Sequence, residues 1–548
     1  MRNNFMKIFA IIFLLSSLPY INIYAQDIEQ EKLQDEENFN MNIDKFYQVL
    51  KTAKDNYVED IDTEELVTEA IKSALEKLDP HSVYMPPKRL KSENEKFKGS
   101  FNGIGVSYQV IEDTINVISA ISGGPSEKIG ITSGDKIVKI DGKSAIGLES
   151  DSIQSKLRGP KGTKVTVDIL RATELELLTF EITRDKVPLN SVDASFILDG
   201  TDIGYVSINR FMRTTHREFL DSMKNLSQQG MKKLILDLRS NPGGYLNQAF
   251  LLADEFIKKG HKIVYTKGRK PEFDDIYFSR SGGKYENLPV IVLIDAGSAS
   301  ASEILSGAIQ DLDRGLVVGV TSYGKGLVQR QYELPDKSGF RITIAKYFTP
   351  SGRCIQRPYK DKNKYRSMDG WLNLEEGNNI DHALEDAIAE NLDSLPPIYK
   401  TLSGRHLLGG GGITPDYVVK YDTTTKMGKS IRSKNLFYLF ARTYINENDE
   451  YIQNNYKYDY KKYLRNFIVN DDIIDEFRKL AESKGVEWDD DLYKTDEKYF
   501  KTFIKSFIAR SLWNNNESRE NSLPWIPQIA KAIELFPEAK SIANLEEN

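Results

Sequence analysis

Between residues 203 and 320 the chain repeats one pattern, a short apolar run followed by a longer amphipathic stretch. Residues 203–208, 234–238, 263–265, 290–294 and 316–320 are apolar almost throughout and read as buried strands. The stretches 215–228, 246–258 and 301–310 carry apolar residues at helical spacing. Strands with no solvent-facing side must be covered by other elements, so the alternation predicts a layered α/β core. Residues 271–285, polar, aromatic and glycine-containing, read as a loop inserted into it.

The flanking regions differ in character. From 99 to 187, short β-rich runs (104–111, 115–118, 136–140, 164–170, 179–183) alternate with glycine turns, which predicts a small closed β-rich module. Pro125, after Gly123-Gly124, stands where a first helical residue belongs. Residues 46–78 show helical spacing, with Asp62 and Thr63 as caps and Asp79-Pro80-His81-Ser82 as a stop. The acidic stretch 27–37 reads as a flexible linker. Beyond 420 the chain is charged and helical (436–444, 473–481, 500–512), and Tyr451, Tyr456, Tyr458, Tyr460 and Tyr463 read as a packing face.

With 548 residues, two to four domains are expected. A formal charge of -6 with no basic stripe argues against a nucleic-acid partner. Cys354 is the single cysteine, which excludes an intrachain disulfide and a multi-cysteine metal site. The five histidines show no metal-ligand spacing, so neither metal nor other cofactor is expected. Arg2 and Lys7, an apolar run at 8–18 and Ala25 make a secretory signal with cleavage near residue 25. The run is too short for a comfortable span, which needs about 20 residues. The expected product is exported, periplasmic and without stable membrane insertion, or membrane-tethered if the signal stays uncleaved.

Three motifs fall at the ends of strands, where α/β folds place their sites. Asp237-Leu238-Arg239-Ser240-Asn241-Pro242-Gly243-Gly244 runs a strand into a glycine turn whose N–H groups suit an oxyanion hole, though ordinary strand–helix turns look the same. In Ser298-Ala299-Ser300-Ala301-Ser302-Glu303, Ser300 stands at a helix start, with the Ala301 N–H among the first-turn donors; helix capping explains such serines equally well. Lys325, in Tyr323-Gly324-Lys325-Gly326-Leu327-Val328-Gln329, lacks the spacing of a nucleotide loop. Gln329 reaches its amine if a helix or tight turn begins there. Serine needs a base to become a nucleophile, and with no histidine near either motif the candidate base is lysine.

The order Asn-Pro-Gly-Gly, Ser-Ala-Ser-Ala-Ser-Glu, Tyr-Gly-Lys-Gly-Leu-Val-Gln resembles the C-terminal processing peptidases, or tail-specific serine proteases. Leu78-Asp79-Pro80-His81-Ser82 and Gly103-Ile104-Gly105-Val106 extend the likeness over roughly residues 46–420. The resemblance implies a crotonase/ClpP-like layered α/β protease core (188–420). It further implies an inserted PDZ domain (99–187) and an N-terminal helical region (26–98), and it leaves the helical C-terminal extension (421–548) unaccounted for. It implies Ser300 as nucleophile, Lys325 as general base, Gln329 as the residue orienting it, and Gly244 and Ala301 as oxyanion donors. Gly103, Ile104, Gly105 and Val106 would form the carboxylate-binding loop. The partners implied are protein or peptide substrates with exposed C-terminal tails; a homo-oligomer or an adaptor is compatible with the same reading.

A lysine base must be neutral near pH 7, about three units below its reference value of about 10.4. Val317, Val318, Leu327 and Val328 are the apolar neighbours expected to bury it. The alternatives are a catalytically silent PDZ scaffold, which would not need Ser300 or Lys325, and a crotonase-like acyl-transfer protein, which nothing else in the chain favours.

Overall fold

The structure, a computed structural model, describes residues 30, 33–171, 174–280, 283–359, 379–389 and 396–545. The signal-like segment 1–25 lies outside the described residues. Among the described residues no helix is long and apolar enough to cross a membrane. The chain divides into two compact units, Met1–Tyr84 and Met85–Asn548.

The first unit contains a helix over residues 33–56 and a second, Thr63–Glu76. Asp62 caps the second, its Oδ1 accepting from the N–H groups of Glu64 and Glu65. Asp79 then closes a turn, accepting from His81 N, Ser82 N and Ser82 Oγ. The acidic stretch, expected as a flexible linker, is already helical from residue 33. Glutamate is a good helix former, and negative charge near a helix N-terminus is favoured by the helix dipole.

In the second unit the first module is an antiparallel sheet in the order Val106–Ile111, Thr114–Ala120, Lys136–Ile140, Lys164–Leu170, Leu178–Thr183. Its own apolar core includes Ile115, Val117, Ile137, Val165 and Val167. The short helix Pro125–Lys128 begins with its proline, as expected. Ser100–Gly103 pairs with Asp185–Pro188 and brings the two ends of the module together.

The core sheet has the order Val192–Ile197, Ile203–Ile208, Lys233–Asp237, Val290–Ile294, Leu316–Gly319, Tyr417–Val418. The first pair is antiparallel and the others parallel. One face packs on the helices Thr215–Gln228, Leu246–Asp254 and Ala301–Asp311 through Phe219, Met223, Phe250, Leu252, Leu305 and Ile309. The opposite face is covered by the end of the chain: Leu523, Ile529, Leu535 and Phe536 pack on Tyr205, Ile235, Ile291 and Leu293. The last helices are thus one layer of the core. Buried Gln528 joins the two, accepting from Arg239 Nη1 (3.3 Å) and donating to the Val419 carbonyl (3.0 Å).

Two local readings change. Residues 263–265, expected in the layered core, belong to Lys262–Gly268 in a separate antiparallel sheet with Gly339–Phe348 and Leu327–Glu333. The expected loop 271–285 contains a strand, Asp275–Phe278, pairing with Lys262–Gly268. Its Ile, Tyr and Phe suit an edge strand better than a loop; Tyr277 packs on the core, while Ile276 and Phe278 are exposed.

Between Lys426 and Leu512 the helices form a core of their own around Phe437, Phe440, Phe477 and Phe500. Tyr456 and Tyr463 are buried in it, while Tyr451 and Tyr458 are exposed, so the tyrosine face is only partly a packing face. These helices also grip the β-rich module. Tyr438 Oη donates to the Val117 carbonyl (3.4 Å), Arg442 Nη1 to Asn116 Oδ1 (3.1 Å), and Lys484 pairs with Glu112.

Candidate active site

The glycine turn and the serine turn meet at the carboxyl ends of two neighbouring parallel strands, Lys233–Asp237 and Val290–Ile294. They are stitched together by Ala299 N to the Asn241 carbonyl (3.0 Å), Ser302 Oγ to the same carbonyl (2.9 Å) and Ser298 Oγ to the Leu238 carbonyl (2.8 Å). Ser298 and Ser302 are fully buried, with their hydroxyls used in these bonds. Ser300 is the partly exposed member of the triplet, at the N-cap of Ala301–Asp311. Its φ of 56° is rarely adopted by a residue with a side chain, and such strain persists only where the surroundings impose it.

Gly243 shows why the turn needs glycine. A Cβ there would lie 2.6 Å from the Ala299 carbonyl oxygen, 2.8 Å from Ser300 Cβ and 2.9 Å from Ala301 N, and its φ is 92°. Most N–H groups of this region are committed: Gly243 N to Asn241 Oδ1, Ser300 N to Glu303 Oε2, Ser302 N to the Ala299 carbonyl. Those of Gly244 and Ala301 have no partner among the described residues.

Upstream, Asp237 is buried and accepts from Tyr205 Oη, Arg239 N and the Arg239 guanidinium. Burial alone would raise its pKa, but the charge and hydrogen bonds of Arg239 hold it below the usual carboxylate range. That pair anchors the strand end from which the glycine turn departs.

Glu303 and Tyr347 join the serine to the lysine loop. Glu303, fully buried, accepts at Oε2 from Ser300 N (2.6 Å) and Lys325 N (2.9 Å), and at Oε1 from Ser322 Oγ (2.5 Å) and Gly324 N (2.7 Å). Burial raises its pKa, and the four donors oppose that rise. The Tyr347 hydroxyl, buried with its ring, lies 3.0 Å from the Ser300 carbonyl and 2.5 Å from that of Lys325. Burial, reinforced by the charge of Glu303, pushes this phenol well above its ordinary value, so it remains a donor.

Lys325 is half-buried, and its Nζ donates to Gln329 Oε1 at 2.8 Å. The expected pair therefore forms, though without a helix or tight turn. Gln329 lies in the strand Leu327–Glu333, whose register against Gly339–Phe348 shifts between Val328 and Gln329. Such a bulge re-aims side chains, which explains how a strand residue reaches back to one four positions earlier. The expected apolar wall is only partly present. Val317 and Val318 are committed to the two opposite core layers.

Sequence reasoning assigned no role to three parts of this assembly. Glu303, three residues after an N-cap serine, carries a capping-box signal. The run Gly409–Gly412 packs on the lysine loop: Ile413 N donates to Ser322 Oγ (2.7 Å), and a Cβ on Gly412 would lie 2.6 Å from the Ser322 carbonyl oxygen. Tyr347 has no local signal at all.

Of the four residues expected to bind a carboxylate, Ile104, Gly105 and Val106 line a groove of about 290 Å³ between the edge strand Val106–Ile111 and the helix Ser150–Leu157. Gly103 is not among its lining residues; it pairs with Asp185 in the strand that closes the module. Ile104 and Leu157 supply apolar lining, and Arg158 a positive charge. Asp381, Glu385 and His406 present ligand atoms within 4.8 Å of one another. His406 N and Nδ1 are both bonded to Asp381 Oδ1, at 2.7 and 3.1 Å, so hydrogen bonding accounts for the closeness of these two residues.

The model of peptidase family S41 matches residues 202–361, and a PDZ domain model matches residues 117–171. Residues 10–88 match the N-terminal domain of the activating protease CtpB, and residues 428–514 a family of unknown function. A carboxy-terminal-processing protease of Bartonella bacilliformis is 36% identical over 349 residues, covering 63% of this chain and 78% of the relative. The carboxy-terminal processing protease CtpA of Bacillus subtilis is 32% identical over 416 residues, covering 71% and 86%. The chain belongs to the carboxy-terminal processing proteases of peptidase family S41. A solved photosystem II D1 C-terminal processing protease is 28% identical, with a TM-score of 0.32, over 57% of this chain and 89% of that one. This S41 peptidase is a serine-type hydrolase of peptide bonds, with a mixed α/β protease core, a PDZ domain, N-terminal helices and a helical C-terminal region.

Proposed function

We propose that this peptidase cleaves exported proteins with a Ser300–Lys325 dyad, selecting them by their free C-terminal tails. The observation that carries the reading is the double link, through Glu303 and Tyr347, between the backbones of Ser300 and Lys325, with the Lys325 amine on Gln329. Neutral Lys325 takes the proton of Ser300 Oγ as that oxygen bonds to the scissile carbonyl carbon. The N–H groups of Gly244 and Ala301 receive the negative charge that develops on the carbonyl oxygen. As the C–N bond breaks, the Lys325 ammonium returns its proton to the leaving amine. Water, deprotonated by the same lysine, then bonds to the acyl carbon, and as the C–Oγ bond breaks the Lys325 ammonium returns its proton to Ser300 Oγ.

Gln329 holds the amine in place, and its neutral amide stabilises the ammonium less than a carboxylate would. In the PDZ groove the backbone of Ile104, Gly105 and Val106 receives the tail carboxylate, while the edge strand pairs with the peptide backbone. The signal-like segment 1–25 directs export to the periplasm.

The test uses a fluorogenic peptide with a free or an amidated C-terminus. Full-length enzyme should cleave the free form and lose most activity on the amide, and a serine-directed reagent should label Ser300. Ser300→Ala and Lys325→Arg should each abolish turnover while the circular dichroism spectrum is retained, since arginine stays charged. Turnover by either variant refutes the dyad; equal cleavage of the two peptides refutes tail selection.

A further inference from the structure

The sheet face that carries Gln329 continues past Lys325, and an arginine stands next on it. In the antiparallel ladder Gln329 pairs with Thr343, and Gln331 with Arg341. Residues two apart on a strand share a face and lie about 7 Å apart. Gln331 and Arg341 are thus one step along from the amide that holds the Lys325 amine. A second path leads to the same place from the glycine turn. Tyr245 follows Gly244 and packs edge-on against Phe97 (5.2 Å between centroids), and the Arg341 guanidinium lies over the Phe97 ring at 5.4 Å.

The guanidinium is held but not used up. Its Nη2 donates to Gln331 Oε1 (3.1 Å), and Gln331 Nε2 donates to Asn94 Oδ1 (2.9 Å) on the helix Pro87–Lys98. Among the described residues its Nε and Nη1 have no hydrogen-bond partner, and neither atom is buried, so both are open to solvent. Arg210 is placed similarly. Its neighbour Phe211 pairs with Gly244, and its own guanidinium is accessible and bonded to nothing among the described residues.

Charge here is out of balance. Glu93 is the carboxylate whose field reaches both arginines, yet it is bonded to Lys96 at 2.9 Å. Burial lowers the pKa of Arg341; Glu93 opposes that, and the like charges of Arg89 and Arg210 add to it. Arginine stays protonated all the same, so the excess positive charge persists at every working pH.

We propose that this basic wall is a specificity subsite, resting on the Ser300–Lys325 reading above: an open N–H of Arg341 donates to the side-chain carboxylate of a substrate Asp or Glu within about three residues of the scissile bond. An asparagine or glutamine oxygen accepts the same hydrogen bond but leaves the excess charge uncompensated. The subsite therefore selects charge rather than shape.

The experiment is steady-state kinetics on the full-length enzyme. Internally quenched peptides share one long free C-terminal tail and carry Asp, Asn or Lys, in turn, at each of about three residues on either side of the scissile bond. At one position kcat/KM for Asp should exceed that for Asn at least about tenfold, the size of one charged hydrogen bond, with Lys the poorest. The Asp/Asn ratio should shrink to about twofold or less in Arg341→Gln, and Arg341→Glu should favour Lys over Asp. Ratios are taken within each variant, so a general loss of activity cancels. Should both variants fail to fold, the wild-type ratio decides, and raising salt from about 50 to about 500 mM should reduce it severalfold. Equal rates for Asp and Asn at every position, a ratio unchanged in Arg341→Gln, or a ratio indifferent to salt would each overturn the proposal. So would a gain confined to short peptides whose own C-terminal carboxylate falls at that position, since the subsite would then read chain ends. Turnover by Ser300→Ala with the Asp preference intact would instead refute the dyad and leave the subsite standing.

Discussion

Replacing Tyr347 by Phe removes one oxygen and nothing else from the link between serine and lysine. The ring is fully buried and keeps its volume, so no cavity opens. The Ser300 carbonyl retains Glu303 N (2.9 Å) and Ile304 N (3.0 Å), so the loss falls on the Lys325 side of the bridge. One buried neutral hydrogen bond with a carbonyl to re-satisfy is worth about 1–2 kcal/mol. If the bond matters chiefly for holding Lys325 toward Ser300, kcat falls roughly 5- to 30-fold and KM changes less than about twofold. The phenol is held well above its ordinary pKa by burial and by Glu303, so it donates throughout the working range and the drop should be equal at every pH. Steady-state kinetics on the free-tail peptide from pH 6 to 9, beside thermal melts of both proteins, reads all three quantities. A wild-type kcat in Tyr347→Phe, or a loss confined to KM, would show that the bridge does not set the dyad.

Gln329→Glu places a carboxylate 2.8 Å from the amine in place of an amide. The charged form of Lys325 is then favoured, so the acid limb of the kcat/KM profile should move about one unit or more toward alkaline pH. A profile unchanged in position argues against Lys325 as the titrating base. Gly243→Ala sets a methyl 2.6 Å from the Ala299 carbonyl oxygen and 2.8 Å from Ser300 Cβ, at a φ that alanine disfavours. Turnover should fall by about a hundredfold, the usual cost of moving reacting groups by about 1 Å, with far less effect on PDZ peptide binding by fluorescence anisotropy. Phe536→Ala, far from the chemistry, should destabilise the protease core by about 3–5 kcal/mol in chemical denaturation. If the terminal helices were an independent appendage, the core transition would not move.

The residues of the candidate site were legible because their motifs are contiguous and each sits at the end of a strand. The spacing to Lys325 and the glycine turn upstream select Ser300 over Ser298 and Ser302; the fold adds a physical ground, since those two hydroxyls are spent on the Leu238 and Asn241 carbonyls. The Lys325–Gln329 contact was legible as a pair, but its cause was misread, because a bulge depends on registration against a partner strand far along the chain. Tyr347 was invisible for a related reason: nothing local distinguishes a core tyrosine from one whose hydroxyl lies 22 and 47 positions away from its partners.

Taken alone, the amino-acid sequence determined the elements that local spacing can encode. These are the apolar strands, the glycine turns, the PDZ-like module, the serine and lysine loops and their order. Tertiary structure decided what covers and connects them. The helices after residue 513 read only as a charged helical tail, yet they form the second face of the core sheet. Glu303 has no assigned role in the sequence, yet it is the anchor of the lysine loop. Periodicity records that a residue has an apolar face or a polar end. It does not record which distant segment meets that face, because that choice is made by the packing of the whole chain.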